Sequence, residues 1–348
     1  MSVPVLLFIV GLLLLIKGGD WFVDGATAIA HRFRVPELLI GATVVSIGTT
    51  LPEVMVSATS AVAGHGEIAY GNAIGSIICN TALIAALTIA IRPSGVNRKT
   101  LRTPVAFFFT AAVFYALTAY VSGHFSRLAG LLLLLIFFVY MGTTVMQARK
   151  QSRKPAEEEM ILQAAALSEK TKASDMRNGG EAEAGGEEAA EGSMGKDILL
   201  LAVGAVFIAV GAKLLVDNGT LIAQALGVPE SVIALTFVAL GTSLPELVTA
   251  ITSLAKGHGA LSLGNVIGAN LFNLVLVAGL SITLAPFDIP QSAVIAGHNA
   301  SLVLDIPVML LVMLFLTVPA LVREKLTRLQ GIVLLGVYGV FCTIQFML

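Results

Sequence analysis

Two acidic side chains stand inside long apolar stretches of the chain, each at the end of the same short motif. Residues 48–53 read GTTLPE and end at Glu53, and residues 241–246 read GTSLPE and end at Glu246. A carboxylate in the middle of a membrane helix costs about 2.5–3.5 kcal/mol on insertion scales, so its presence needs a functional reason. The proline of each motif also frees a backbone carbonyl one turn earlier. Carboxylates, hydroxyls and free carbonyls together are the oxygen ligands that hard cations bind.

The two motifs belong to a duplicated unit. Glu53 and Glu246 are 193 residues apart, and the same offset relates Asp24 to Asp217. Without a gap, 31 of the 71 positions in residues 23–93 are identical to their partners. A repeat of this length fixes the architecture before any single motif is interpreted.

The composition excludes a soluble globular domain. Hydrophobic residues make up 56% of the 348 residues, charged residues only 12%, and the mean hydropathy is +0.90. Apolar runs of about 20 residues indicate transmembrane helices. No basic patch with interleaved aromatic residues indicates a nucleic-acid partner, and Cys79 and Cys342 provide no disulfide or metal framework.

The apolar pattern predicts an all-α membrane protein with ten transmembrane helices. The segment at 17–34 is more polar and is predicted to follow the first helix rather than to extend it. The units are a first five-helix repeat at 1–148, a linker at 149–196 and a second five-helix repeat at 197–348. The predicted helices cover about 3–16, 36–63, 67–91, 103–121, 126–147, 197–215, 228–255, 260–285, 300–321 and 329–347.

The distribution of lysine and arginine predicts the orientation. Basic residues cluster in the odd-numbered loops, which the positive-inside rule places in the cytoplasm, so both termini are expected outside. Five helices per repeat then insert the second half upside-down relative to the first, as in many transporters. Residues 149–196 are rich in charge, alanine and glycine, which predicts a partly disordered cytoplasmic linker.

The third predicted helix carries three polar residues on one face. Asn72, Ser76 and Asn80 are spaced four residues apart, and in lipid such a face must point at protein or water. The residue equivalent to Asn80 in the second half of the repeat is Asn273, so we predict that these two asparagines are cation ligands. For Asn72, a ligand role and an interhelical hydrogen bond both remain open.

The duplicated motif resembles that of the calcium/cation antiporter superfamily, and most closely the prokaryotic sodium/calcium exchangers. The resemblance rests on GTTLPE and GTSLPE followed by the glycine- and asparagine-rich segments at 71–80 and 264–273, and it covers nearly all of the chain except the linker. It implies calcium efflux driven by a sodium gradient through alternating access, in the inner or plasma membrane.

The resemblance also implies a set of ion ligands. The acidic ligands match Glu53 and Glu246, and the polar positions of the third and eighth helices match Asn80 and Asn273. Hydroxyl ligands match Thr49, Thr50, Ser76, Thr242 and Ser243, and backbone carbonyl ligands match Ser46 and Ala239.

Two positions depart from the family pattern. Asn273 stands where some members, including potassium-dependent ones, carry aspartate, and Ala269 stands where the first half has Ser76. The lost charge argues against potassium dependence, and the lost hydroxyl leaves the number of bound sodium ions open.

The alternatives to calcium/sodium exchange are a proton/calcium antiporter, a channel and an enzyme. A proton/calcium antiporter would use the same glutamates, and only a flux measurement separates the two. A channel fits less well because two buried carboxylates do not form a pore-lining ring, and no HExxH motif or serine–histidine pair indicates an enzyme. We expect a monomer without a resident cofactor that carries Ca²⁺ and Na⁺, or H⁺, across the bilayer.

Overall fold

The computed structural model describes residues 2–148, 193–225, 241–291 and 293–348. Within these residues the chain forms ten helices, nine of which are long and apolar enough to cross a membrane. The predicted linker lies outside the described residues except for residues 193–196. The helices are α1 Ser2–Arg32, α2 Glu37–Val62, α3 Gly66–Ile91, α4 Arg98–Ser122, α5 Arg127–Ala148, α6 Met194–Ala225, α7 Leu244–Ala255, α8 Gly259–Leu284, α9 Ser301–Arg323 and α10 Arg328–Met347.

The first helix is longer than the sequence predicts. The polar segment at 17–34 was expected to follow the helix, but α1 continues without a break to Arg32. Its polar residues are accommodated because Asp20 and Asp24 form ion pairs with Lys256, between α7 and α8. The prediction was wrong here because the partner of these carboxylates is distant in sequence.

Helices α1 and α6 pack against each other with almost no side chain between them. A Cβ atom on Gly11 would lie 2.9 Å from the carbonyl oxygen of Gly211, and one on Gly18 would lie 2.9 Å from that of Gly204. As the residue number rises on α1 it falls on α6, so the two helices are antiparallel. Glycine at these positions lets the two backbones touch, as at close helix crossings in membranes.

The two motif helices each pack on a distorted segment of the other half of the chain. Part of α3, Asn80–Ala85, and part of α8, Asn273–Ala278, are wound as π-helix. The end of α2 from Ser46 packs on the π segment of α8, and α7 packs on the π segment of α3. The two contacts are equivalent under the 193-residue offset, and they bring the motifs to the middle of the bundle.

Tight turns and short strands connect the helices. Gly64 and Gly257 both adopt positive φ, of 86° and 88°, which explains why glycine recurs at the turn after each motif helix. Strand β1, His124–Phe125, pairs antiparallel with β2, Phe287–Asp288, and β3, Val294–Ile295, pairs with β4, His298–Asn299.

The buried core lies around α3 and α8. Both helices are buried over most of their length, whereas many apolar side chains of α1 and α10 are exposed on the outside of the bundle. The largest buried side chains include Phe108 and Tyr115 of α4 and Phe272 of α8. An exposed apolar surface around a polar centre is the arrangement expected for a bundle surrounded by lipid.

Candidate functional site

The two motif glutamates are fully buried and lie near each other. Glu53 and Glu246 are both 0% exposed, and they are close enough for the charge of one to act on the other. Thr50, one turn before Glu53 on α2, donates a hydrogen bond of 3.5 Å to Oε1 of Glu246. The hydroxyl of one motif therefore contacts the carboxylate of the other.

The two motifs differ in backbone geometry. Around Pro52 the helix is continuous from Ser46 to Val62, and its distortion lies earlier, in a π-helical turn at Gly41–Val45. In the second copy, residues 241–243 form a turn and α7 begins at Leu244, with Pro245 in its first turn. A proline in the first turn of a helix has no intrahelical donor to lose, which explains why helix α7 begins there.

The two asparagines predicted as ligands occupy equivalent distorted positions. Asn80 and Asn273 each begin a π-helical segment, and both are 0% exposed. Within the described residues, neither the side-chain oxygen nor the side-chain nitrogen of Asn80 or Asn273 has a hydrogen-bond partner. Such π-helical turns are rare and occur frequently at functional sites.

Several buried oxygen atoms in and near the motifs accept no hydrogen bond from the described residues. Buried polar atoms are nearly always paired, because an unpaired one costs about 1–3 kcal/mol. Oxygens without donors fit a hard cation such as Ca²⁺, which needs acceptors only. The set comprises Oε1 and Oε2 of Glu53, Oε2 of Glu246, Oδ1 of Asn80, Oδ1 of Asn273 and Oγ of Ser243.

Two further predicted ligands, Ser46 and Thr49, contact Asn265, which was not predicted as a ligand. The hydroxyl of Thr49 lies 3.3 Å from Oδ1 of Asn265, and that of Ser46 lies 2.9 Å from the Asn265 carbonyl oxygen. The sequence signal was present, since Asn265 is the repeat partner of Asn72. Ala239, the repeat partner of Ser46, lies outside the described residues.

Asn72 forms an interhelical hydrogen bond. Its Nδ2 donates to the carbonyl oxygen of Glu53 at 3.2 Å and to the hydroxyl of Ser57 at 2.8 Å. Of the two roles left open for Asn72, the structure shows the bond that ties α3 to α2. The Nδ2 of its repeat partner Asn265 has no acceptor among the described residues, and the counterpart of Ser57 there is Ala250, which has no hydroxyl.

A cavity connects part of the site with one end of the bundle. It has a volume of about 520 Å³, and Ser76 and Thr242, both predicted hydroxyl ligands, lie in its wall. Its wall also includes Glu67 at the start of α3 and Gln345 near the end of α10. The cavity thus reaches the site from the end of the bundle that holds the chain's C-terminus.

Ion pairs tie the helices together at the opposite end. Lys256 lies 2.8 Å from Asp24 of α1, and Arg32 at the end of α1 lies 2.9 Å from Asp197 of α6. Asp217, the repeat partner of Asp24, pairs instead with Lys213 on its own helix at 3.0 Å. The two ends of the bundle are therefore not equivalent.

These features define an all-helical, multi-pass integral membrane protein with a buried, oxygen-rich site between two related halves. The sodium/calcium exchanger protein family matches residues 3–146 and 196–347. The chain is 34% identical over 300 residues to the inner membrane protein YrbG of Escherichia coli, which covers 86% of each chain. It is 31% identical to the sodium/calcium exchanger MaX1 of Methanosarcina acetivorans over 99% of each chain.

A solved structure agrees with these relatives. The sodium-calcium exchanger NCX_Mj, soaked with Na⁺ and Sr²⁺, superposes with a TM-score of 0.75 at 31% identity over 97% of each chain. The chain belongs to the sodium/calcium exchanger family.

Proposed function

We propose that the protein exports Ca²⁺ in exchange for Na⁺ and that Glu53 and Glu246 hold the Ca²⁺ near the middle of the membrane. The carrying observation is that two fully buried carboxylates, one from each half of the chain, lie close together among oxygen atoms without donors. Two ionised carboxylates balance one divalent ion, and this balance offsets the high cost of their burial.

The remaining predicted ligands complete the proposed site. Asn80 and Asn273 contribute amide oxygens, and Ser243 adds a hydroxyl from the second motif. Ca²⁺ accepts such an irregular set of oxygens, whereas Mg²⁺ gives up its water reluctantly and requires near-octahedral geometry. The hydroxyls of Thr49, Thr50, Ser76 and Thr242, with the carbonyls of Ser46 and Ala239, provide the neutral oxygens that Na⁺ ions would use.

Exchange follows if Na⁺ and Ca²⁺ compete for the same carboxylates. An empty site would leave two like charges close together in a medium of low dielectric constant, so the empty protein is expected to change conformation slowly. The loaded protein crosses more easily, which couples the two ion flows. No covalent chemistry is involved, and the protein is proposed to be a transporter without enzymatic activity or a resident cofactor.

We propose that the two halves, residues 1–148 and 197–348, are inverted repeats joined by a cytoplasmic linker at 149–196. The antiparallel contact between α1 and α6, which are repeat partners, supports this arrangement. In this orientation both termini lie outside, the cavity beside Ser76 opens outward, and the Lys256 ion pairs lie at the cytoplasmic end. Movement of the α1–α6 pair over the remaining helices is the proposed alternating-access step, in a protein that acts as a monomer.

The test is calcium-45 uptake into everted membrane vesicles, driven in one arm by a sodium gradient and in the other by a pH gradient. Glu53→Gln and Glu246→Gln are each expected to abolish sodium-driven uptake while the protein remains in the membrane. Glu324→Gln, an exposed glutamate paired with Arg98, is the matched control and should transport normally. Normal uptake in either site variant would refute the proposed site. Uptake driven by the pH gradient alone would show that the coupling ion is H⁺ and not Na⁺.

A further inference from the structure

Helix α9 carries a carboxylate, Asp305, that lies outside both repeat motifs. Asp305 ends a π-helical turn, Ser301–Asp305, at the beginning of α9, and it lies in the wall of the 520 Å³ cavity. The gapless 193-residue repeat ends at Pro286, so it does not account for Asp305. An ionisable residue within a membrane helix is costly and normally marks a functional site.

No basic side chain neutralises Asp305 in the part of the chain that the structure describes. In that part of the chain, Nε2 of Gln345 in α10 donates a hydrogen bond of 2.6 Å to Oδ1 of Asp305. The described residues that line the cavity include a second carboxylate, Glu67, but neither lysine nor arginine. An amide donor satisfies one lone pair of the carboxylate but supplies no positive charge, so an ionised Asp305 would have no cationic partner among the described residues.

An unpaired buried hydroxyl beside Asp305 provides a second, independent observation. Tyr70 of α3 lines the same cavity, is 3% exposed, and its phenolic oxygen has no hydrogen-bond partner among the described residues. Tyr115 of α4, whose ring stacks on that of Tyr70, is 0% exposed, and in the same part of the chain its hydroxyl is also without a partner. Tyr70 and Asp305 therefore share one cavity wall, and Tyr115 lies directly behind Tyr70. Buried hydroxyls without partners are rare in folded proteins, which suggests that a further group occupies this space.

We propose that Asp305, with Tyr70, Ser301 and Gln345, forms a second cation-binding site in the cavity, which an ion occupies before it reaches Glu53 and Glu246. This inference rests on the proposed function for the route of the ion. Ser76 and Thr242 line the same cavity, so an ion held at Asp305 would share a continuous space with ligands of the central site.

The volume of the cavity determines what kind of cation the site takes. Because a water molecule occupies about 30 Å³ of liquid, a cavity of about 520 Å³ has room for an ion that keeps much of its hydration shell. A site that does not remove the water selects by charge rather than by size. Mg²⁺, which keeps its waters, should therefore compete with Ca²⁺ at Asp305 but not at the central site.

Terbium luminescence excited through tyrosine tests for binding at this site. Tb³⁺ is a hard cation with oxygen ligands, and Tyr70 and Tyr115 are placed to transfer energy to it. The purified full-length protein is used in a Glu53→Gln, Glu246→Gln background, which removes the carboxylates of the central site. We expect a saturable signal that both Ca²⁺ and Mg²⁺ displace, and Asp305→Asn should weaken Tb³⁺ binding by about tenfold.

Two further variants make the binding test specific. Asp288→Asn changes an exposed aspartate at the same end of the bundle, which pairs with His124, and should leave the signal unchanged. Asp305→Glu keeps the charge and should restore most of the binding lost in Asp305→Asn. An unchanged signal in Asp305→Asn, or no saturable signal in the parent background, would overturn the proposal.

Transport measured from each side tests whether the ion uses this site on its way. In the otherwise native protein, Asp305→Asn should raise the Ca²⁺ concentration for half-maximal uptake about tenfold from the cavity side. The value from the opposite side and the saturating rate should be unchanged, which a general folding defect would not produce. An equal effect from both sides would overturn the route. Loss of the proposed function itself would appear separately, as normal exchange in Glu53→Gln.

Discussion

The contact between α1 and α6 gives a prediction whose size follows from the structure. A Cβ atom on Gly204 would lie 2.5 Å from the backbone nitrogen of Phe22 and 2.8 Å from the carbonyl oxygen of Gly18. Ordinary van der Waals contact begins at 3.4 Å, so Gly204→Ala requires the helices to separate by 0.9 Å, the difference between 3.4 and 2.5 Å. Both obstacles are backbone atoms, so no side chain can rotate away to make room.

The expected cost is the balance of two opposing effects. Overpacking of this kind costs about 1–3 kcal/mol, and a gap of about 0.5–1 Å elsewhere along the contact loses a quarter to a half of the dispersion energy there. Alanine gains up to about 1 kcal/mol over glycine in a helix. We therefore expect Gly204→Ala to destabilise the protein by about 1–2 kcal/mol, and to slow exchange if the α1–α6 pair moves as a unit.

Matched glycines elsewhere in the bundle provide the control. Gly142 of α5 and Gly336 of α10 have nothing within 4 Å of an added Cβ among the described residues, so alanine there should stabilise or have no effect. Thermal unfolding of the purified variants in detergent, with calcium-45 flux in parallel, measures both consequences. If Gly204→Ala is as stable as Gly336→Ala and exchanges ions at the native rate, the close backbone contact does not have the role assigned to it.

The Lys256 salt bridges give a prediction about transport, and the Asn72 hydrogen bonds give one about stability. Lys256→Ala removes the salt bridges to Asp20 and Asp24 at the end of the bundle opposite the cavity. An exposed salt bridge contributes at most about 1 kcal/mol, so the equilibrium for opening this end should become up to about fivefold more favourable. Ca²⁺ uptake from that side should then be half-maximal at a lower concentration, and no change would show that the bridges do not hold that end closed. Asn72→Ala removes bonds to Ser57 and Glu53, which should cost about 1–3 kcal/mol. A lowered thermal midpoint with unchanged cation selectivity is expected, whereas altered selectivity would make Asn72 a ligand.

Much of the fold could be predicted from sequence because membrane helices satisfy their own backbone hydrogen bonds. In lipid, a long apolar run has few alternatives to a spanning helix, so the helix count follows from hydropathy. The first helix was predicted too short because Asp20 and Asp24 look like the end of a span. Their partner Lys256 comes from the second half of the chain, and hydropathy along the chain does not contain that contact.

The repeat predicted candidate site residues in pairs, but it did not predict which contacts each member of a pair makes. Asn72 and Asn265 are equivalent in sequence, yet Asn72 binds Ser57 and the Glu53 carbonyl, while Asn265 contacts Thr49 and Ser46. A hydrogen bond depends on the partner that tertiary packing supplies, and a single substitution at that partner changes it.

The sequence by itself determined the duplication, the membrane class and the two glutamates, because each depends on residue type and on spacing along one chain. Tertiary structure alone brought Asp305 of α9, Tyr70 of α3 and Gln345 of α10 to one cavity. These residues lie on three helices and share no motif. A carboxylate in such a cavity becomes evident only when every helix around it is in position.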